Sequence, residues 1–210
     1  YKAGRTITPK GVMVHSTGAN NPLVARYVQP VEGQSNEAQL KAEIGGNRNA
    51  NDWNNQGLDV CTHAFVGKLA DGGVGTVQTL PWNHRGWHAG GAANNTHIGV
   101  EMCEPACIKY TSGANFTCSD LTTAKAVAKR TYEAAVELFA SLCKQYGLDP
   151  MKDGVIISHR EGCARGLASN HGDPEHLWNQ LGTGYTMNGF RKAVQADMKG
   201  GGVTTTPNAE

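Results

Sequence analysis

The sequence predicts an α/β fold, a central mixed sheet flanked by helices, and three observations carry that expectation. Residues 11–15 (Gly-Val-Met-Val-His) and 154–159 (Gly-Val-Ile-Ile-Ser-His) each start at glycine, run through β-favouring side chains and end in a histidine. Such runs read as strands buried on both faces. The third observation is a long helical period after Ser119. There Leu121, Ala124, Ala128, Ala135, Leu138, Phe139 and Leu142 recur at three- and four-residue steps, as on one buried helix face.

Along the chain, residues 20–55 are rich in Asn, Gln and Gly and hold one weak helical segment at 38–44. Residues 61–67 and 75–80 read as strands joined by the Asp71-Gly72-Gly73 turn, a hairpin. A loop from Pro81 to Asn95 leads into a further strand at 97–102. The long helix has Ser119 or Asp120 as its cap, Gly147 at its end and Pro150 beyond, where helix cannot continue. Shorter helices are expected at 174–181 and 188–199. Gly200-Gly201-Gly202 then opens a polar tail with three threonines and a proline, which is linker composition. Residues 1–199 therefore read as one domain and 200–210 as a linker to another domain. No internal repeat is evident.

One sizeable core fits 210 residues. A net charge of +1 gives no bulk attraction to nucleic acid. No stretch approaches the roughly 18 apolar residues of a membrane span. The chain opens on Tyr1 without a basic-plus-apolar leader, which reads as an excised domain or a processed product. The six cysteines are Cys61, Cys103, Cys107, Cys118, Cys143 and Cys163. They form no Cys-x-x-Cys pair, so ordinary thiols are expected. Cys143 falls on the long helix as a buried thiol. Cys103, Cys107 and Cys118 bracket one loop, where a disulfide or a second metal site is the alternative.

If the two histidine-ended strands run the same way in one sheet, His15 and His159 sit side by side at its carboxyl edge. That edge is where ligands gather in open α/β sheets. The loop Asn170-His171-Gly172-Asp173-Pro174 adds a carboxylate. Two histidines and one carboxylate are the ligands of a catalytic zinc with one open position. The plainer readings are histidines that only hydrogen-bond, and Asp173 as a helix cap ahead of Pro174. In residues 97–102, alternation puts Ile98, Val100 and Met102 on the core face and Glu101 on the other. Gly99 clears space beside Glu101, as a substrate or metal site would need, although a solvated glutamate fits the same pattern. His171, two residues before Asp173, can lie beside it to stabilise an oxyanion and protonate a leaving amine. Otherwise it is a loop histidine without a role.

The segments "GVMVHST", "THAFVGKLADGGVGTVQTLPWNHRGWHAGG", "NNTHIGVEM", "ISHRE" and "NHGDPEHLW", in that order, closely resemble the zinc N-acetylmuramoyl-L-alanine amidases. That family includes bacterial autolysins, phage endolysins and the related peptidoglycan recognition proteins. The resemblance spans residues 10–178. It implies that His15, His159 and Asp173 are the metal ligands, the third position being Asp in some branches and Cys in others. It implies that Glu101 acts on the zinc-bound water and that His171 occupies the position of a lysine in other branches. One branch carries a tyrosine just before the residue matching His63; here that residue is Thr62, which gives Glu101 more weight. The interval from His159 to Asp173 is longer than in several branches, so His171 remains the competing third ligand. His63, His84 and His88 fall near the groove without being ligands. Trp53, Trp82 and Trp87 are candidates for stacking on sugar or for the core.

The resemblance thus implies a zinc at the open sheet edge, in a surface groove. The implied activity is hydrolysis of the amide between N-acetylmuramic acid and L-alanine in peptidoglycan. It implies action on the cell wall, as a secreted or cell-surface autolysin or as an endolysin released at lysis. A cell-wall-binding domain beyond the tail is the expected partner module. Readings from other classes are a non-catalytic peptidoglycan-binding module and a zinc peptidase cutting within the stem peptide.

Overall fold

The computed structural model describes residues 4–53 and 58–200. In chain order the elements are β1 (Gly11–Ser16), α1 (Glu37–Ile44), β2 (Ala64–Lys68), β3 (Val74–Gln78), β4 (His97–Met102), β5 (Ile108–Ser112), β6 (Asn115–Cys118), α2 (Leu121–Tyr146), β7 (Ile156–Ser158), α3 (His159–Ala164), α4 (Glu175–Leu181) and α5 (Met187–Met198). The main sheet has the order β3-β2-β4-β1-β7. β1, β2, β4 and β7 are parallel, and β3 runs antiparallel at one edge. The expected mixed α/β sheet with flanking helices is present.

α2 starts where Asp120 accepts the Thr123 N–H at 2.9 Å and ends at Gly147 in the left-handed conformation, φ 62°, which glycine adopts without a Cβ clash. Its apolar face, with Val136 and Phe139, packs with Phe190 of α5 on Val12, Val14, Ile98, Val100 and Ile156 of the sheet. Each such large side chain stabilises the fold by about 1.5–3 kcal/mol. The opposite sheet face is also covered. Met13 and Ile157 meet Ala89 and Ala93, and Phe65 stacks on Tyr27 with Trp53 edge-on. Burial on both faces is why β1 and β4 carry no exposed residue.

Several expectations change. β7 stops at Ser158, and His159 opens α3 instead of ending a strand; Ser158 and Glu161 form a reciprocal capping box. The cysteine-bracketed loop is a second sheet, the β5–β6 hairpin. All six cysteines are free thiols, Cys143 buried as expected. Asp173 does not cap α4: the cap position is Pro174, with no side-chain hydrogen bond. Trp53 and Trp82 pack against core clusters, whereas Trp87 is exposed beneath the Arg85 guanidinium. Tyr1 and residues 201–210, most of the expected linker, lie outside the described residues. Among the described residues, no helix is long and apolar enough to cross a membrane.

Candidate active site and metal centre

Strand register assembles the site. His15 lies opposite Glu101 across β1 and β4, and Val14 lies opposite Ser158 across β1 and β7. One row at the carboxyl edge therefore carries Glu101, His15 and, one step beyond β7, His159. Glu101 shares its sheet face with His15, opposite the face that α2 covers.

Asp173 reaches this row from the loop ahead of α4. Its Oδ2 is 3.1 Å from His15 Nδ1 and its Oδ1 is 3.4 Å from His159 Nδ1. The two Nδ1 atoms are 3.0 Å apart, and the Ser16 N–H donates to Asp173 Oδ2 at 3.3 Å. Donors held at about 2.0–2.2 Å by one tetrahedral zinc stand about 3.3–3.6 Å apart. The donor types suit such an ion and the observed spacings come within about 0.3 Å of that range, so this group could hold a metal.

Charge is concentrated here. Burial pulls the His15 pKa down, but the carboxylates of Glu101 and Asp173 outweigh it and leave it raised. Burial pushes Asp173 up, yet the His15 hydrogen bond and the two imidazoles hold it below its ordinary value. Burial and the neighbouring His15 charge lower His159 to about 4. Glu101 is pushed up to about 7, chiefly by burial, with His15 pulling against Asp173 and Glu104. Its Oε2 is buried without a hydrogen-bond partner among the described residues. Buried polar atoms normally have a partner; Ser16 Oγ, Glu175 Oε2 and His176 Nδ1 also lack one among the described residues.

The sequence pattern that defines the N-acetylmuramoyl-L-alanine amidases matches residues 5–176. The chain belongs to that family. It is an amidase that hydrolyses the bond between N-acetylmuramic acid and L-alanine in peptidoglycan. Its fold is similar to that of the Staphylococcus aureus hydrolase AmiA, solved with its ligand (19% identity, TM-score 0.56, covering 98% of this chain and 81% of that one). It is also similar to the PlyG catalytic domain (17% identity, TM-score 0.51, 97% and 88%) and to a mutant endolysin from Bacillus subtilis (20% identity, TM-score 0.50, 91% and 88%). At these identities the likeness is one of fold. No protein of curated function matches the chain in sequence.

In the amidase, His171 stands apart from the three converging atoms. It is exposed, and its Nδ1 lies 3.3 Å from His159 Nε2, the far nitrogen, and 3.0 Å from Ser169 Oγ. The space above Gly99 is not left for substrate or metal: a Cβ there would stand 2.3 Å from the His88 ring. His63 ties the loop to β4, accepting the Gly99 N–H on Nδ1 at 2.9 Å and donating from Nε2 to the His84 carbonyl at 2.8 Å. Burial lowers it to about 4. His84 has its ring 3.2 Å from the Asn83 side chain.

Sequence reasoning missed a second buried group beside the site. Glu104 accepts the Gly18 N–H at 3.1 Å and the Tyr110 hydroxyl at 2.7 Å, and the same hydroxyl lies 2.7 Å from His176 Nε2. Burial pushes Glu104 up to about 7. His176 was not legible as a partner of Glu104, because the contact joins α4 to the β5–β6 hairpin through Tyr110. Nor was Tyr110, because its hairpin was unexpected.

Proposed function

We propose that the amidase holds one zinc ion through Nδ1 of His15, Nδ1 of His159 and the Asp173 carboxylate, with Glu101 and His171 moving protons and charge. The observation that carries this reading is the 3.0–3.4 Å triangle of donors at the sheet's carboxyl edge. Two imidazoles and one carboxylate leave one position open for chemistry. When bound, zinc supplies Lewis acidity and brings the pKa of water down toward about 7.

The chain's own residues do the rest. Glu101, with its pKa near 7, is matched to general-base work at neutral pH. Its Oε2 accepts a proton from water as the water oxygen attacks the lactyl carbonyl carbon. The carboxyl group then returns that proton to the L-alanine nitrogen as the C–N bond breaks. The products are a muramyl lactyl carboxylate and a stem peptide with a free amine. His171, exposed beside His159, offers a ring N–H to the oxyanion formed on attack.

The substrate places this activity at the cell wall, as a secreted or cell-surface autolysin or as an endolysin released at lysis. The polar tail supports a further wall-binding module beyond residue 200. Purified peptidoglycan incubated with the protein, with and without a chelator, tests the reading. The expected result is newly labelled N-terminal alanine that disappears on chelation and returns with zinc. Binding without release would indicate a recognition module, and internal stem-peptide fragments would indicate a peptidase.

A further inference from the structure

Each proposed ligand histidine heads a hydrogen-bond chain that runs to the loop between β3 and β4, the first going on to His97 at the start of β4. His15 Nε2 lies 2.9 Å from His88 Nδ1, and His88 Nε2 lies 3.0 Å from the His97 carbonyl oxygen. A carbonyl only accepts, so His88 donates from Nε2 and, as a neutral ring, keeps its lone pair on Nδ1. That lone pair takes the proton on His15 Nε2. His15 Nδ1 is then left bare toward Asp173 and His159.

The second chain has the same logic. Ser169 donates its hydroxyl proton to the Ala89 carbonyl at 3.3 Å, and His159 Nε2 lies 3.1 Å from Ser169 Oγ. The Ser169 lone pair accepts the His159 Nε2–H, which leaves the His159 Nδ1 bare. His171 Nδ1 shares the same hydroxyl at 3.0 Å. The two chains meet at adjacent residues, His88 and Ala89.

Glycines allow these approaches. A Cβ on Gly99 would stand 2.3 Å from the His88 ring, and one on Gly86 2.9 Å from it. A Cβ on Gly90, which has φ +62°, would stand 2.8 Å from Ser169 Oγ. The run Gly86-Trp87-His88-Ala89-Gly90 is thereby packed closely behind both imidazoles.

We infer that His88 and Ser169 are positioning residues that fix the ring orientation and the Nδ1-bare tautomer of His15 and His159 for the metal. The inference rests on the His15–His159–Asp173 site proposed above. Partners of this kind set which nitrogen a ligand histidine presents, and losing one typically weakens metal binding 10–100-fold.

The test is zinc affinity by competition with a chromogenic chelator, with urea midpoints recorded alongside, for the wild type, H88F, H88Q, S169A and H15A. H88F removes both ring nitrogens while keeping an aromatic ring, and is expected to weaken zinc binding about 10–100-fold. S169A should lose on the order of tenfold. H88Q offers an amide oxygen to His15 and an N–H to the His97 carbonyl, so it should recover most of the loss. H15A should lose far more than any of them. If H88F and S169A stay within about threefold of wild type while H15A is impaired, the inference is overturned and the metal site stands. If H88Q folds normally but binds zinc as weakly as H88F, His88 only fills space, and the inference fails again. If H15A keeps wild-type affinity, the metal site itself is wrong. Should H88F not fold, H88Q and S169A still decide.

Discussion

His15 and Glu101 lie directly opposite each other on adjacent parallel strands, on one face of the sheet and at its carboxyl edge. The pairing sets an imidazole that can bind metal beside a carboxylate whose pKa burial has raised to about 7. Each alters the other: Glu101 raises His15, and His15 pulls Glu101 down. The proposed general base and one proposed metal ligand are thus set side by side by strand register.

Replacing Glu101 by Gln keeps the shape and removes the proposed base. Turnover should fall on the order of 10²–10⁴, with zinc stoichiometry and fold retained. In the wild type the reactive form is the carboxylate, so kcat/KM should rise with pH on a limb near or below 7, the metal's charge shifting it downward. That limb should vanish in E101Q. Near-normal turnover by E101Q would remove Glu101 from the mechanism.

Asp173 is the proposed third ligand, and D173A should lose tight zinc binding and activity together. Metal analysis after dialysis reads the first, and alanine release reads the second. A D173A protein with full zinc and no turnover would transfer the third ligand position to His171.

His171 sits outside the triangle of donors, so H171A should keep its zinc. Removing one oxyanion donor typically costs about 10²–10³ in turnover, and a loss of that size with little change in KM is expected. H171K should recover part of it if positive charge is what matters. Zinc loss in H171A would contradict the assignment.

Glu104 binds its proton more tightly in the folded chain than in the unfolded one, because burial raises it from 4.5 to about 7. Its contribution to stability is therefore fully present below about pH 4.5 and lost as pH rises through about 7. That span is worth up to about 3 kcal/mol. Glu101 and Glu175 are raised for the same reason. Burial lowers His63, His88, His97, His159 and His176 from 6.5 and so makes stability rise with pH up to about that value. The wild type and E104Q share these groups and differ by Glu104. Urea unfolding should show the wild type losing stability relative to E104Q as pH rises from 5 to 8; equal slopes would show that Glu104 does not titrate in this range.

Much of this site was legible beforehand. β1, β4 and α2 were readable because their periods are local, and His15 and Glu101 followed from strand end and alternation. α3 was missed although its capping box, Ser158 and Glu161, stands in the sequence at the diagnostic spacing. The β5–β6 hairpin was not legible because its alternation is weak: Ile108 is its one buried residue, and β6 carries only half-buried and exposed ones. Gly99 was rightly singled out but for the wrong occupant, since it clears room for His88.

The sequence by itself determined the residue types at the site, the strands that carry His15 and Glu101, and the family, because these depend on neighbours along the chain. Only the tertiary structure decided that Asp173 turns to His15 instead of capping α4, and that His171 lies outside the donor triangle. It alone also placed His88 and Ser169 behind the two imidazoles. The reason is distance along the chain: the contacts of His15 with Asp173 and His88 join residues 158 and 73 positions apart. Local propensity carries no information about such pairs. They form only when sheet register and packed glycine loops bring the side chains together.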